Sequence, residues 1–204
     1  MKLYYLFLIA LLITLNQSCK QETAKEENAT ETIDSSTSLF TENGKDWQMG
    51  GNASWSFEEG VIIGRLDTGA GFLMTKQPYQ DFVLNLEFNP DSTINSGIFG
   101  RCQEVAISPL TCYELNIWDL HPNQDFRTGA IVTKAKPLAY VETLGKWNNY
   151  KVKCEGTHIE AWVNDIKTTD IQDSTLAKGF IAIQAAGTGT IKFRNVQLEL
   201  LGNE

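Results

Sequence analysis

Apolar and polar residues alternate with a period of two along most of the chain, the spacing that sends successive side chains to opposite faces of a strand. In Phe82–Phe88 the residues Phe82, Leu84, Leu86 and Phe88 share one face, and Asn85 and Glu87 share the other. Tyr150, Val152 and Cys154 alternate with Lys151 and Lys153 in the same manner, as Ile159, Ala161 and Val163 do with His158, Glu160 and Asn164. Near the C-terminus the inward set changes phase, from Ile191 and Phe193 to Val196, Leu198 and Leu200. That change predicts a bulge or bend at Arg194–Asn195. No long stretch carries a helical stripe. Short strands separated by Gly, Asn and Asp predict an antiparallel sandwich or barrel from Leu39 onward.

The first residues follow a different pattern. Met1-Lys2 gives a positive start, and Leu3–Leu15 is an uncharged apolar run. It is shorter than the roughly 20 residues a membrane-spanning helix needs, and it has the form of a signal-peptide core. Asn16-Gln17-Ser18-Cys19 follows, a small residue before cysteine, which resembles a bacterial lipobox with Asn16 at a position where an apolar residue is usual. Residues 1–18 therefore read as a lipoprotein signal peptide, with Cys19 as the lipidated first residue of an exported protein. Residues 19–38 carry two lysines (Lys20, Lys25) and five acids (Glu22, Glu26, Glu27, Glu31, Asp34) with almost nothing apolar, and read as a flexible acidic tether. Residues 39–204 are left as one β domain. The expected location is the membrane-anchored face of the periplasm or the outer-membrane surface, with membrane contact through the lipid alone.

Composition narrows the chemistry. With 17 basic against 25 acidic residues and a net charge of −8, the chain has no basic stripe for phosphates, so nucleic acid is not an expected partner. Four cysteines and two histidines show no Cys-x-x-Cys or His-x-x-x-His spacing, and no structural metal site is expected. Cys102 closes one strand-like run and Cys112 opens the next. If those runs pair, the two sulfurs meet at the mouth of a hairpin, where a disulfide fits an exported protein. Cys154 falls on an apolar phase and reads as a buried thiol.

Polar and aromatic side chains are densest between Asn95 and Thr133. In Cys112–Asp119, Tyr113, Leu115 and Ile117 point one way and Glu114, Asn116 and Trp118 the other. A carboxylate, an amide and an indole in a row suit a sugar ring. Asn95, Gly97, Phe99 and Arg101 share a phase on the preceding run, so Arg101 is expected on the same surface, paired with Glu114. Asp119, His121, Asn123, Asp125 and Arg127 crowd the loop beyond. His158, beside Glu160, reads as a surface residue.

The succession Asn95-Ser96-Gly97-Ile98, Arg101, Tyr113-Glu114-x-Asn116-Ile117-x-Asp119, Thr128-Gly129-Ala130, Gly145-x-Trp147-Asn148, Asn164, Gly179-x-Ile181-x-Ile183-Gln184 and Phe193-Arg194-Asn195-Val196 resembles the DUF1080 family, the 3-keto-disaccharide hydrolases or 3-keto-glycoside lyase/hydratases. The resemblance runs from about Leu39 to Leu201. It implies a concanavalin A-like jelly-roll sandwich of two antiparallel sheets. The chain departs from the family pattern at Asn116, where glutamine is usual, and at Gly100, where an aromatic is usual.

Direct hydrolysis of a glycoside requires two flanking carboxyl groups, and this strand supplies one. A 3-keto sugar asks for less. Its ketone acidifies the hydrogen at C2, so one base can remove it, expel the group at C1 and leave a 2-hydroxy-glucal-type enone that can take up water. The resemblance thus implies Glu114 or His121 as base and Asp119 or His121 as the acid for the leaving group. Arg101 would stabilise the developing charge, and Asn95, Asn116, Trp118 and Gln184 would join it in holding the sugar. No cofactor is required, although a divalent metal bound by carboxylates and His121 would serve as electrophile in place of Arg101. The alternative is a surface carbohydrate-binding module without turnover, which would use the same face and the same Trp118.

Overall fold

The alternating runs form strands wherever one side of the run is apolar. The computed structural model describes residues 37–39, 44–104 and 107–202. The signal peptide, Cys19 and nearly all of the acidic tether lie outside the described residues. Thirteen strands follow in order: β1 (Thr37–Ser38), β2 (Trp47–Gly51), β3 (Ser54–Glu58), β4 (Val61–Leu66), β5 (Ala70–Thr75), β6 (Phe82–Pro90), β7 (Ile94–Cys102), β8 (Tyr113–Ile117), β9 (Asn148–Glu155), β10 (His158–Val163), β11 (Ile166–Gln172), β12 (Phe180–Gly187) and β13 (Gly189–Leu200). One 3₁₀ turn, Gln124–Phe126, is the only helical segment among the described residues.

The larger sheet has the order β11-β10-β9-β6-β13-β4-β3, with β1 added along β13, and the smaller has β2-β5-β12-β7-β8. Every named pairing is antiparallel. The fold is therefore the all-β jelly-roll sandwich. Phe82, Leu84, Phe88, Tyr150, Val152, Ile159 and Phe193 from the larger sheet meet Leu73, Ile98, Tyr113, Leu115, Ile181 and Ile183 from the smaller in one core. Cys154 lies in that core as a buried free thiol.

Two bulges re-aim side chains. In β13 the register against β6 shifts between Arg194 and Gln197, and Asn195 takes a positive φ of 51°. This is the phase change at Arg194–Asn195, and it keeps Ile191, Phe193, Val196 and Leu198 all buried. In β7 the register against β12 slips so that Cys102 pairs with Phe180 while Phe99 pairs with Ala182. Arg101, at φ 53°, absorbs the extra residue.

The β7 bulge corrects the expectation for Arg101. It turns the side chain away from the outer face of the sheet and leaves it 0% exposed. Its Nε donates to the Gln80 carbonyl, one terminal nitrogen to the carbonyls of Gly156 and Leu176, and the other to Asp81 Oδ1 at 3.0 Å. Arg101 pins the β6, β9 and β12 ends together. It does not pair with Glu114.

Candidate active site on the outer face of the smaller sheet

The two sheets differ on the sides turned away from the core. The larger sheet is charged there. Lys167 bridges Glu160 and Asp170, His158 meets Asp170, and Arg194 meets Glu87. The smaller sheet instead carries a second apolar cluster of Met74, Phe99, Cys102, Cys112 and Ala182, with Phe72, Ile107 and Phe180 packed against it. The five cluster residues are at most 1% exposed, and Phe72, Asn95 and Gln184 beside them are part-exposed, an apolar base with a few polar groups of the kind ligand surfaces have.

Register places those groups in rows across the sheet. Gln48, Met74, Ala182, Phe99 and Glu114 are successive partners on β2, β5, β12, β7 and β8. Gly50, Phe72, Gln184, Gly97 and Asn116 form the next row, and Ala70, Ala186 and Asn95 the one after. Gly97 lies between these groups. A methyl group there would lie 3.3 Å from both the Leu115 carbonyl oxygen and the Phe99 ring and 3.7 Å from Glu114 Cγ, so the glycine is what lets Phe99 and Glu114 pack this closely over the strand.

Glu114 is 8% exposed, and no side chain or backbone N–H among the described residues donates to its carboxyl group. Burial alone pushes that carboxyl up from 4.5 to about 7. Two more acceptors on the same face are buried without a donor, Asn95 Oδ1 and Gln184 Oε1. Buried polar atoms are rarely left unpaired, and two of them on the face that carries the Glu114 carboxyl mark a surface waiting for donors.

The other expected residues have different duties. Asn116, 2% exposed, donates its amide to the Phe126 carbonyl and accepts from the Ile117 N–H at 3.1 Å, which corrects its assignment to the sugar. Asp119 is 3% exposed and accepts from the Thr128 hydroxyl, the Thr143 hydroxyl at 2.9 Å and the Thr143 N–H at 2.6 Å. Both of its oxygens are committed to joining two loops, so the expectation of an acid at Asp119 is corrected to a structural tie.

Trp118 is half-buried, with the His121 ring edge-on to it at 4.5 Å. His121 Nδ1 lies 3.0 Å from the Asn123 N–H and 2.8 Å from the Asn123 carbonyl, and Phe126 closes the other side of the ring at 5.7 Å. Nε2 makes no hydrogen bond among the described residues. Gln124 bonds the carbonyls of Asp119 and His121, so this loop is fastened to the end of β8.

Cys102 and Cys112 are bridged. Glu114, Asp119 and His121 do not converge as metal ligands. The one such group among the described residues is His158, Glu160 and Asp170, where the Lys167 ammonium occupies the cation's place. Sequence reading missed Phe72, Met74 and Ala182 as floor of the site. Alternation pairs Phe72 with Met74, but only sheet order puts them beside Phe99.

The fold and this face define a β-sandwich of the carbohydrate-related jelly-roll class. Residues 35–199 match the 3-keto-alpha-glucoside-1,2-lyase-like domain, and the chain belongs to that family. Among solved structures it is similar to a protein from Parabacteroides distasonis provisionally assigned as a glycosyl hydrolase. The two share 25% identity with a TM-score of 0.70, over 81% of this chain and 99% of that one. A second such protein from the same organism shares 21% identity with a TM-score of 0.70, over 82% and 94%. The carbohydrate binding module CBM66 from Bacillus subtilis shares the fold at 21% identity and a TM-score of 0.61, over 78% and 99%. No curated protein matches the chain.

Proposed function

We propose that the domain cleaves 3-keto-glycosides by elimination across C1–C2 and that Glu114 is the base. The observation that carries this reading is the largely buried, donor-free Glu114 carboxyl packed beside Gly97 and Phe99, on the face that also leaves Asn95 and Gln184 oxygens unpaired. A base whose acidity lies near the working pH combines a useful deprotonated fraction with a strong pull on the proton.

The carboxylate takes the C2 proton. The C2–H electron pair becomes the C1–C2 double bond as the C1–O bond breaks, and the departing oxygen takes up a proton. His121, whose Nε2 is unengaged, suits that last transfer. Addition of water to the enone returns a hemiacetal at C1, so the overall outcome is hydrolysis. Asn95 and Gln184 accept from sugar hydroxyls through their buried oxygens, and their amide N–H groups are the donors offered to the enolate oxygen. Trp118 provides the apolar edge for the ring.

The test is to incubate the purified domain with a 3-keto-glucoside and follow release of the aglycone. Wild type is expected to release it, and Glu114→Gln to lose about 10²-fold or more of the rate. Full activity in Glu114→Gln with loss in His121→Ala would move the base to His121. Sugar binding without release from any 3-keto-glycoside would leave a carbohydrate-binding module.

A further inference from the structure

The bridge between Cys102 and Cys112 lies on the ligand side of the smaller sheet. Cys102 and Cys112 are 0% and 1% exposed and pack with Met74, Phe99 and Ala182, with Ile107 laid against the same cluster. Phe99 is the direct cross-strand partner of Glu114, and Cys112 precedes Glu114 by two residues on the strand that carries it. A bridge placed only for fold stability would serve as well on the core side, where Cys154 remains a free thiol.

We propose that the Cys102–Cys112 disulfide is a positioning element of the Glu114 site, fastening the apolar cluster that holds Phe99 beside the carboxyl group and so keeping that group poor in water. The proposal rests on the reading of Glu114 as the working group of this face. The bridge ties the start of β8 to the end of β7, just past the bulge at Arg101, where regular pairing has ended. Without it no cross-link holds the loop that carries Ile107 against this cluster.

The surroundings contain no rival cause. The outer faces of β2, β5, β7 and β12 present Gln48, Phe72, Met74, Asn95, Phe99, Phe180, Ala182 and Gln184, none of them charged. Charged and titratable residues on adjoining segments have other partners: Arg101 with Asp81, Asp119 with Thr128 and Thr143, His121 with the Asn123 backbone and the Trp118 ring, Arg127 with Glu142, and Lys134 with Asp173. Glu104 is exposed in the loop after β7. Burial is accordingly what raises the Glu114 carboxyl, and the apolar cluster beside it is what the bridge fastens.

The experiment is a carbon-13 NMR titration of the Glu114 side-chain carboxyl, assigned by its loss in Glu114→Gln, in three proteins. These are the oxidised wild type, the Cys102→Ser/Cys112→Ser double variant, and Ile107→Ser with the bridge intact. The midpoint is expected near 7 in the first and about a unit or more lower in the second, with a smaller fall in the third, because admitting water restores the ordinary carboxyl. Should the double variant not fold, gentle reduction of the wild-type protein and Ile107→Ser give the same comparison. An unchanged midpoint after loss of the bridge overturns the proposal, as does an ordinary midpoint in the oxidised wild type. The aglycone assay separates the two readings. Loss of activity in Glu114→Gln with an unmoved midpoint sinks the clamp alone, whereas a moved midpoint with full activity in Glu114→Gln sinks the role of Glu114 as base.

Discussion

Glu114 and Arg101 sit on strands that neighbour each other, and burial acts on them in opposite ways. Arg101 is surrounded by three carbonyls and Asp81, so removing it leaves acceptors without a donor in the interior. Arg101→Met is expected to lower unfolding free energy by about 3–5 kcal/mol in urea titration, with any activity loss tracking loss of folded protein. Glu114 has no partner, and its folded carboxyl holds a proton to about 7 against 4.5 when unfolded. Between those values the folded state binds more protons than the unfolded state, so stability falls as pH rises and is lowest once both forms are ionised. Glu114→Gln is therefore expected to match wild type at pH 4 and to exceed it by about 2–3 kcal/mol at pH 8 in paired urea titrations. Equal stabilities at both pH values would show that the carboxyl is solvated. Gly97→Ala probes this packing directly. Its methyl group would crowd both the Leu115 carbonyl oxygen and the Phe99 ring at 3.3 Å beside Glu114, so KM for a 3-keto-glucoside is expected to rise at least tenfold with a modest fall in melting temperature.

At the scale of the element, β8 and the loop beyond it act as one unit. Thr128 bonds the Trp118 N–H, Asn116 holds Phe126, and Asp119 reaches Thr143. Asp119→Ala would strand the Thr143 N–H, and a buried donor left alone costs about 1–3 kcal/mol. Amide exchange across 118–128 and 141–144 is expected to quicken while the core strands β6 and β9 stay protected. Alternation was enough to find β6, β9, β10 and β13 because each has one apolar side. It was also enough to find the bulge at Arg194–Asn195, since Val196 and Leu198 announce the new phase. The bulge at Arg101 was not legible. The residues after it, Cys102 and Gln103, carry no apolar alternation that would reveal a slip, and simple phase counting put the guanidinium on the wrong side. Asp119 and Asn116 misled for a related reason: a polar residue looks the same in sequence whether it meets a ligand or a backbone group.

For the molecule as a whole, the two sheets share one core and divide the remaining tasks. The charged back of the larger sheet meets solvent through ion pairs, and the smaller sheet keeps an apolar face with two buried unpaired acceptors and the Glu114 carboxyl. The sandwich was legible from periodicity, whereas the floor of the site depended on the order β5-β12-β7-β8, which brings together residues far apart in the chain. Attachment to a membrane is a proposal resting on Ser18-Cys19. Cys19→Ala is expected to release the protein into the soluble fraction, and retention on membranes after a high-salt wash would refute the anchor. A surface-tethered population would be crowded, and open strand edges invite pairing between neighbours. β8 is last in its sheet, yet Gly129, Ala130 and Val132 bond along it, to both backbone groups of Asn116 and to the Glu114 carbonyl. The strand bearing the acid is thereby closed to a neighbouring chain, so dense packing on a membrane would leave its register, and the aim of the carboxyl group, undisturbed.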